Sequence, residues 1–241
     1  MDKLFVVIPA YNEEKNIKKV VNDWYKIVEK YGKNGSKLVV INDGSKDNTY
    51  KILKEMAKDK ELLTVLTKSN SGHGPTIIYG YKYALKNGAD YIFQTDSDGQ
   101  TNPEEFEKFW NERNDYDAIF GNRINRADGK QRVFVEKTLC RILKHYFKVN
   151  IQDSNAPFRL MTREYLKKYL PMIDDNYNLP NVMLTTFGAY YNDKIKFEKI
   201  TFKTRQGGKN SLNIKKIIRI GINALKDFKK FQMRMENEKN I

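Results

Sequence analysis

The stretch Tyr91-Ile-Phe-Gln-Thr-Asp96-Ser-Asp98-Gly-Gln100 sets two carboxylates close together at the end of an apolar run. Neighbouring anions raise one another's pKa and call for a compensating cation. Hard carboxylate oxygens favour Mg2+ or Mn2+, which bind through one or two carboxylates and complete their shells with water and substrate phosphates. Gly99 and Pro103 supply a turn at this point. A helix cap is the competing use: Asp98 or Thr101 could satisfy backbone N–H groups at the start of a helix opened by Pro103.

Short apolar runs alternate with longer stretches of helical period. Leu4 to Ile8, Leu38 to Ile41, Leu62 to Leu66, Tyr91 to Thr95 and Ala118 to Phe120 are expected as strands buried on both faces. Asn16 to Glu29, Asn48 to Ala57, Thr76 to Leu85 and Pro103 to Trp110 are expected as the helices between them. That order implies right-handed crossovers and a Rossmann-like, mostly parallel α/β sheet flanked by helices. Beyond Gly121, Arg132 to Phe147 reads as helix, Phe158 to Met161 as extended chain and Lys194 to Lys203 as an edge strand. In an open α/β sheet, ligands collect outside the carboxyl ends of the strands. Four polar tails fall there and are expected to converge on one crevice: Pro9 to Glu14, Asn42 to Thr49, Asn70 to Pro75, and Asp96 to Gln100.

The chain has 241 residues, 40% of them hydrophobic, enough for one substantial core. Its formal charge of +14 attracts nucleic acid, an anionic membrane surface or a phosphate-bearing substrate. The basic residues are scattered and no nucleic-acid-binding motif is present, so no nucleic acid partner is expected. The single cysteine, Cys140, allows no internal disulfide, which fits a cytoplasmic chain. No run reaches the ~20 apolar residues of a membrane-spanning helix. His73 and His145 lack partners at metal-ligand spacing and are expected as surface or packed residues.

Taken together, Pro9-Ala-Tyr-Asn-Glu-Glu14, Asn42-Asp-Gly-Ser45 with Asp47 and Thr49, Asn70-Ser-Gly-His-Gly74, Asp96-Ser-Asp-Gly-Gln100 and Gly121-Asn-Arg123 occur in a recognisable order and spacing. The set resembles family 2 glycosyltransferases of the GT-A fold, most closely the polyprenyl-phosphate (dolichyl-phosphate) mannosyltransferase branch. The resemblance covers at least Leu4 to Arg163, where Asp153-Ser-Asn-Ala-Pro-Phe-Arg-Leu160 is similar to the branch's Asp-x-x-Ser-Gly-Phe-Arg segment. Ala156-Pro157 stands where the branch has Ser-Gly, and the branch's C-terminal membrane helices have no counterpart here.

The resemblance implies an inverting, metal-dependent transfer of a sugar from a UDP- or GDP-sugar to a membrane-associated acceptor. That acceptor is a lipid phosphate or, alternatively, the hydroxyl of a cell-surface glycan. By the same resemblance, Pro9, Tyr11, Glu13, Asp43, Gly72, Asp96 and Lys209 fall on donor-binding positions: Tyr11 stacking on the base, Glu13 on the ribose, Asp43 on the base edge. An Asx-turn through Asn42 and Asp43 before Gly44 is the local alternative. Asp98 is implied as direct ligand of Mg2+ or Mn2+, with Asp96 near its waters and Gln100 in support. Arg123 and the segment Thr204 to Ser211, through Arg205 and Lys209, are implied as cations that neutralise the diphosphate. Two glycines, Gly207 and Gly208, suit that segment to folding over a ligand. Asp153 is the implied base for a hydroxyl acceptor. A lipid phosphate is already anionic and needs cations to position it, for which Arg123, Arg126 and Arg132 are the candidates.

The residues from Asn213 onward pattern as a basic amphipathic helix. Ile214, Ile217, Ile218, Gly221, Ile222, Leu225 and Phe228 share one face, and Lys215, Lys216, Arg219, Lys226, Lys229 and Lys230 populate the rest. Residues 1–212 are therefore expected as the catalytic domain. Residues 213–241 are expected either as an anchor on the inner face of an anionic membrane or as a helix docked on the domain.

Overall fold

In a computed structural model, residues 2–33, 35–124, 129–204 and 214–239 are described, without the side chains of 130, 131, 214–222 and 237–239. Arg126, Arg205 and Lys209 lie outside the described residues. The first part of the chain alternates strictly: β1 (Leu4–Ala10), α1 (Ile17–Tyr31), β2 (Lys37–Asp43), α2 (Thr49–Met56), β3 (Leu63–Lys68), α3 (His73–Lys86) and β4 (Tyr91–Thr95). After a 3-10 turn at Pro103–Glu105 come α4 (Phe106–Asn111), β5 (Ala118–Ile124), α5 (Lys130–Phe147), β6 (Phe158–Thr162), α6 (Arg163–Tyr169), α7 (Pro180–Tyr190), β7 (Ile195–Thr201) and α8 (Ile214–Lys239).

The strands form one seven-stranded sheet in the order β3-β2-β1-β4-β6-β5-β7. β1 pairs in parallel with β2 and with β4, and β2 with β3. β6 is the antiparallel exception, inserted between β4 and β5. The order runs outward from β1 in one direction and restarts at β4 in the other, so the topological switch point lies between the carboxyl ends of β1 and β4.

Two cores cover the two faces, because successive strand residues point to opposite sides. Phe5 and Val7 of β1 and Val39 and Ile41 of β2 belong to one core, with α3, α6 and α7. Leu4, Val6 and Ile8, with Leu38 and Val40, belong to the other, with α1 and α4. Burying both faces favours continuous apolar runs over alternation, which is why β1, β2 and β4 read as they do. β3 departs from that expectation. As an edge strand it buries Leu63 while Thr64, Val65 and Leu66 are half-buried and Thr67 is exposed.

Helix α3 sits hard against the sheet at Gly80, where a Cβ would lie 2.4 Å from Val7 Cγ1 and 2.9 Å from Ile41 Cδ1. On the opposite face Trp24 and Phe106 close over Phe93, with ring centroids 5.1 and 4.9 Å away, and steady the strand that ends in Asp96. From Ala224 onward α8 docks on the domain: Ala224, Phe228, Phe231 and Met235 are buried in the first core, and Phe228 meets Phe147 of α5 at 6.0 Å. Among the described residues, no helix is long and apolar enough to cross a membrane.

Candidate active site

The strand tails meet in turn, the first three joined by hydrogen bonds and the third brought to the fourth by the approach of His73 to Asp96. After β1, the Asn12 N–H donates to Ser45 Oγ (3.0 Å), the Glu13 N–H to Thr49 Oγ1 (2.8 Å) and the Glu14 N–H to Asp47 Oδ2 (3.1 Å). Ser45, Asp47 and Thr49 thus shape the turn that carries Tyr11 and Glu13. Burial pushes the Asp47 carboxyl up, but hydrogen bonds from Thr49 and Glu14 outweigh it and hold the group below the usual range. Asn12 occupies the left-handed region at φ 55°, and its Oδ1 accepts from the Lys46 N–H. Tyr11 is half-buried, Pro9 is buried, and the buried Glu13 carboxylate accepts from Asn16 Nδ2 at 2.9 Å.

Asp43 ties the second tail to the third. Its carboxylate accepts the N–H of Ser71 (3.0 Å) and of Gly72 (2.9 Å) and pairs with Lys68. The local alternative appears as a bond one residue longer than an Asx-turn: Asn42 Oδ1 accepts from the Ser45 N–H at 3.2 Å, closing the chain around Gly44. Gly72 has φ 97°, with open space where a side chain would stand. That conformation aims the Gly72 N–H at Asp43 and starts α3 beside the strand ends.

The third tail reaches the fourth through His73, whose Nε2 is 3.6 Å from Asp96 Oδ1. His73 is exposed, as expected, but the neighbour it has in space was invisible in the linear spacing. Asp96 also accepts from Gln94 Nε2 at 3.0 Å. The Asp98 carboxylate accepts from the Gln100 N–H at 3.1 Å within a turn made at Gly99, φ 73°. The helix-cap alternative does not hold. Asn102 occupies the cap position before Pro103 without a side-chain cap bond, and Thr101 Oγ1 pairs with Thr95 Oγ1 at 2.9 Å. Gln100 is buried and its Nε2 donates to the Lys203 carbonyl at 2.8 Å, joining the turn to the chain after β7.

Asp96 and Asp98 offer hard oxygen donors on one turn at the switch point, and the Asp96 side chain is 24% exposed. Among the described residues, no group of three or more His, Cys, Asp or Glu side chains is placed to hold a metal. That donor set fits Mg2+ or Mn2+, which keep waters and take substrate phosphate oxygens, and does not fit an all-protein cage.

The two residues expected to act on acceptor and diphosphate separately are bound to each other. Arg123 Nε donates to Asp153 Oδ2 at 2.7 Å, and Arg123 Nη2 donates to Asp153 Oδ1 at 2.8 Å. The N–H groups of Arg123 and Asn155 donate to the same carboxylate at 3.2 Å. Glu136 of α5 approaches Arg123 Nη2 at 3.4 Å and accepts from the Ser154 N–H and hydroxyl at 2.8 Å. Burial pushes the Asp153 carboxyl up, but the Arg123 guanidinium and the backbone N–H groups prevail and hold it below the usual range. A buried, ion-paired carboxylate with a lowered pKa is a weak proton acceptor. Arg132 is half-buried in the first turn of α5.

Arg159, within the segment quoted from Asp153 to Leu160, proves structural and central. It is fully buried on β6 and donates to the carbonyls of Asn181 (2.9 Å), Ala156 (3.2 Å) and Ser154 (3.3 Å) and to Thr185 Oγ1 (2.9 Å). Burial lowers its pKa. A charge in the middle of an apolar strand is the sequence signal for such a network, since it must find partners.

The profile of the family described as Glycosyl transferase family 2 matches residues 5–170. The chain is 31% identical over 192 residues to the UDP-N-acetylglucosamine–dolichyl-phosphate N-acetylglucosaminyltransferase of Methanococcus voltae, across 69% of this chain and 72% of that protein. It is 27% identical over 185 residues to the undecaprenyl-phosphate 4-deoxy-4-formamido-L-arabinose transferase of Pectobacterium atrosepticum, across 76% of this chain and 55% of that one. Among solved structures, glucosyl-3-phosphoglycerate synthase from Mycobacterium tuberculosis in complex with Mn2+, UDP and phosphoglyceric acid matches with a TM-score of 0.64 at 16% identity, over 86% of this chain and 72% of its own. S. aureus TarS 1-349 in complex with UDP-GlcNAc matches with a TM-score of 0.61 at 22% identity, over 90% of this chain and 64% of its own. At these identities the structural likeness carries the fold, the GT-A arrangement, and nothing about ligands.

Proposed function

The chain is a glycosyltransferase belonging to glycosyl transferase family 2, and from that membership we propose that it transfers a sugar, with inversion, from a nucleoside-diphosphate donor to a polyprenyl phosphate at a membrane surface. The donor occupies the crevice at the switch point. Pro9, Tyr11, Glu13, Asp43 and Gly72 receive the nucleoside, and Asp96 and Asp98 are the residues that would hold Mg2+ or Mn2+, with Gln100 bracing their turn. When bound, the ion supplies Lewis-acid neutralisation of the departing diphosphate. Arg205 and Lys209 add positive charge from the segment after β7, and Arg126 and Arg132 receive the acceptor phosphate.

The observation that carries the acceptor class is the Arg123–Asp153 pair. A sugar hydroxyl needs a base, and the carboxylate expected in that role is buried, ion-paired and held below the usual pKa range. A phosphate oxygen is anionic near neutral pH and needs only to be held by cations in line with the anomeric carbon. The Methanococcus and Pectobacterium relatives are both named for polyprenyl-phosphate acceptors, which supports the same class. Work on such an acceptor places the protein peripherally on the cytoplasmic face of an anionic membrane. Lys215, Lys216 and Arg219 fall in the first turns of the α8 segment and supply charge that an anionic surface attracts, while Phe228, Phe231 and Met235 further along are occupied in the core.

A panel of UDP-, GDP- and dTDP-sugars, read by thermal shift with and without Mn2+, tests the donor half. A ligand that binds only the folded chain raises its Tm. One nucleotide sugar should do so, and only with the divalent ion present. An equal rise in EDTA contradicts the metal assignment.

A further inference from the structure

We infer that Gln94 and Asn181, neither of them in a motif tail, are positioning residues that hold Asp96 in its working orientation; the inference rests on the reading of Asp96 as part of the metal and donor site. Gln94 lies on β4 and Asn181 in the first turn of α7, eighty-seven positions apart, and both are buried. Tyr81 OH donates to Asn181 Oδ1 at 3.0 Å, Asn181 Nδ2 donates to Gln94 Oε1 at 2.9 Å, and Gln94 Nε2 donates to Asp96 Oδ1 at 3.0 Å.

The direction of this chain is forced from its charged end. An ionised carboxylate only accepts, so Gln94 must present its NH2 group to Asp96 and its oxygen inward. Asn181 must then present its own NH2 group to Gln94 and its oxygen to Tyr81, which must donate. Burial pushes the Tyr81 phenol well above its ordinary pKa and keeps that proton in place. All three donors therefore point toward Asp96, and aligned hydrogen bonds polarise one another.

The far end is fixed as well. Arg159 Nη1 grips the Asn181 carbonyl at 2.9 Å and Nη2 grips Thr185 Oγ1 at 2.9 Å, which pins the first turn of α7 over β4. A polar glutamine inside an apolar strand would otherwise cost stability. Here it fixes the rotamer of the first carboxylate of the turn, as partners behind metal ligands do elsewhere.

The test uses the full chain and four variants: Asp96→Asn, Gln94→Met, Asn181→Leu and the Gln94→Met/Asn181→Leu double variant. Free Mn2+ is titrated by electron paramagnetic resonance, alone and with UDP or GDP, with circular dichroism and Tm as the record of folding. Gln94→Met should stay folded and bind Mn2+ with nucleotide about tenfold more weakly, the lower end of what loss of an outer partner costs. The double variant should lose no more than Gln94→Met, because Asn181 acts on the ion only through Gln94. Wild-type affinity in Gln94→Met, with loss in Asp96→Asn, overturns the inference and leaves the site reading standing. Additive losses in the double variant also overturn it. Wild-type affinity in Asp96→Asn, or no Mn2+ binding by the wild type, overturns both.

Discussion

Asp153 holds Arg123 by both of its oxygens, at 2.7 and 2.8 Å, across thirty positions of sequence and between the end of β5 and the loop before β6. The pair makes Asp153 a fixture of the acceptor side and sets the guanidinium in one orientation.

Asp153→Asn keeps the shape and removes the charge. Loss of a general base costs about 10²–10⁴-fold in rate. Since Asp153 does not take a proton from a phosphate acceptor, the variant should retain more than about a tenth of wild-type kcat with lipid phosphate. Its stability should fall by roughly 3 kcal/mol, because Arg123 stays buried with one carboxylate partner removed. Steady-state kinetics and urea unfolding check both numbers.

The same pair gives a pH dependence of definite sign. The folded-state pKa of Asp153 lies below its unfolded value, so the unfolded chain binds more protons in acid. The stability it contributes is present above the unfolded carboxylate pKa, about 3.9, and is lost as pH falls through the folded value. The difference in unfolding free energy between wild type and Asp153→Asn should be level from neutral pH to about pH 5 and shrink below about pH 4. A difference that grows in acid contradicts the pairing.

Asp98→Ala should leave the far-UV spectrum and Tm close to wild type, since Asp98 is only half-buried and accepts from the nearby Gln100 N–H within its own turn, outside the two cores. Transfer should lose its response to divalent ions and fall by several orders of magnitude, the scale of lost Lewis-acid stabilisation. Full turnover of this variant in EDTA removes Asp98 from the metal site.

The second half of α8 is core, so Phe228→Ala should destabilise the chain by about 3–5 kcal/mol, the usual cost of emptying a buried phenylalanine site. Equilibrium unfolding measures it. An unchanged midpoint would return the whole helix to the membrane-anchor reading.

Much of this architecture was legible because period and placement are local signals. The apolar runs Leu4 to Ile8 and Tyr91 to Thr95, each ending in polar residues, place β1, β4 and the switch point between them. Pairings set by register were not legible. The insertion of β6 between β4 and β5, which brings Arg159 under α7, depends on strand order that no single stretch encodes. Helix α7 escaped notice because Pro180 to Gly188 is buried throughout, leaving no polar face and hence no helical alternation to read. His73 lacked a partner in the linear spacing and acquired Asp96 only when α3 began beside the end of β4.

Transfer itself tests the central claim most directly. Purified protein, Mn2+ and the radiolabelled nucleotide sugar that raises Tm are incubated with anionic vesicles containing polyprenyl phosphate, the matching polyprenol, or neither, and label is followed into the organic phase. Label should enter the lipid only with polyprenyl phosphate, as a sugar joined through one phosphate with inverted anomeric configuration. Transfer to polyprenol or to a soluble glycan, with none to polyprenyl phosphate, contradicts the account and returns the search for a base to the acceptor side of the crevice.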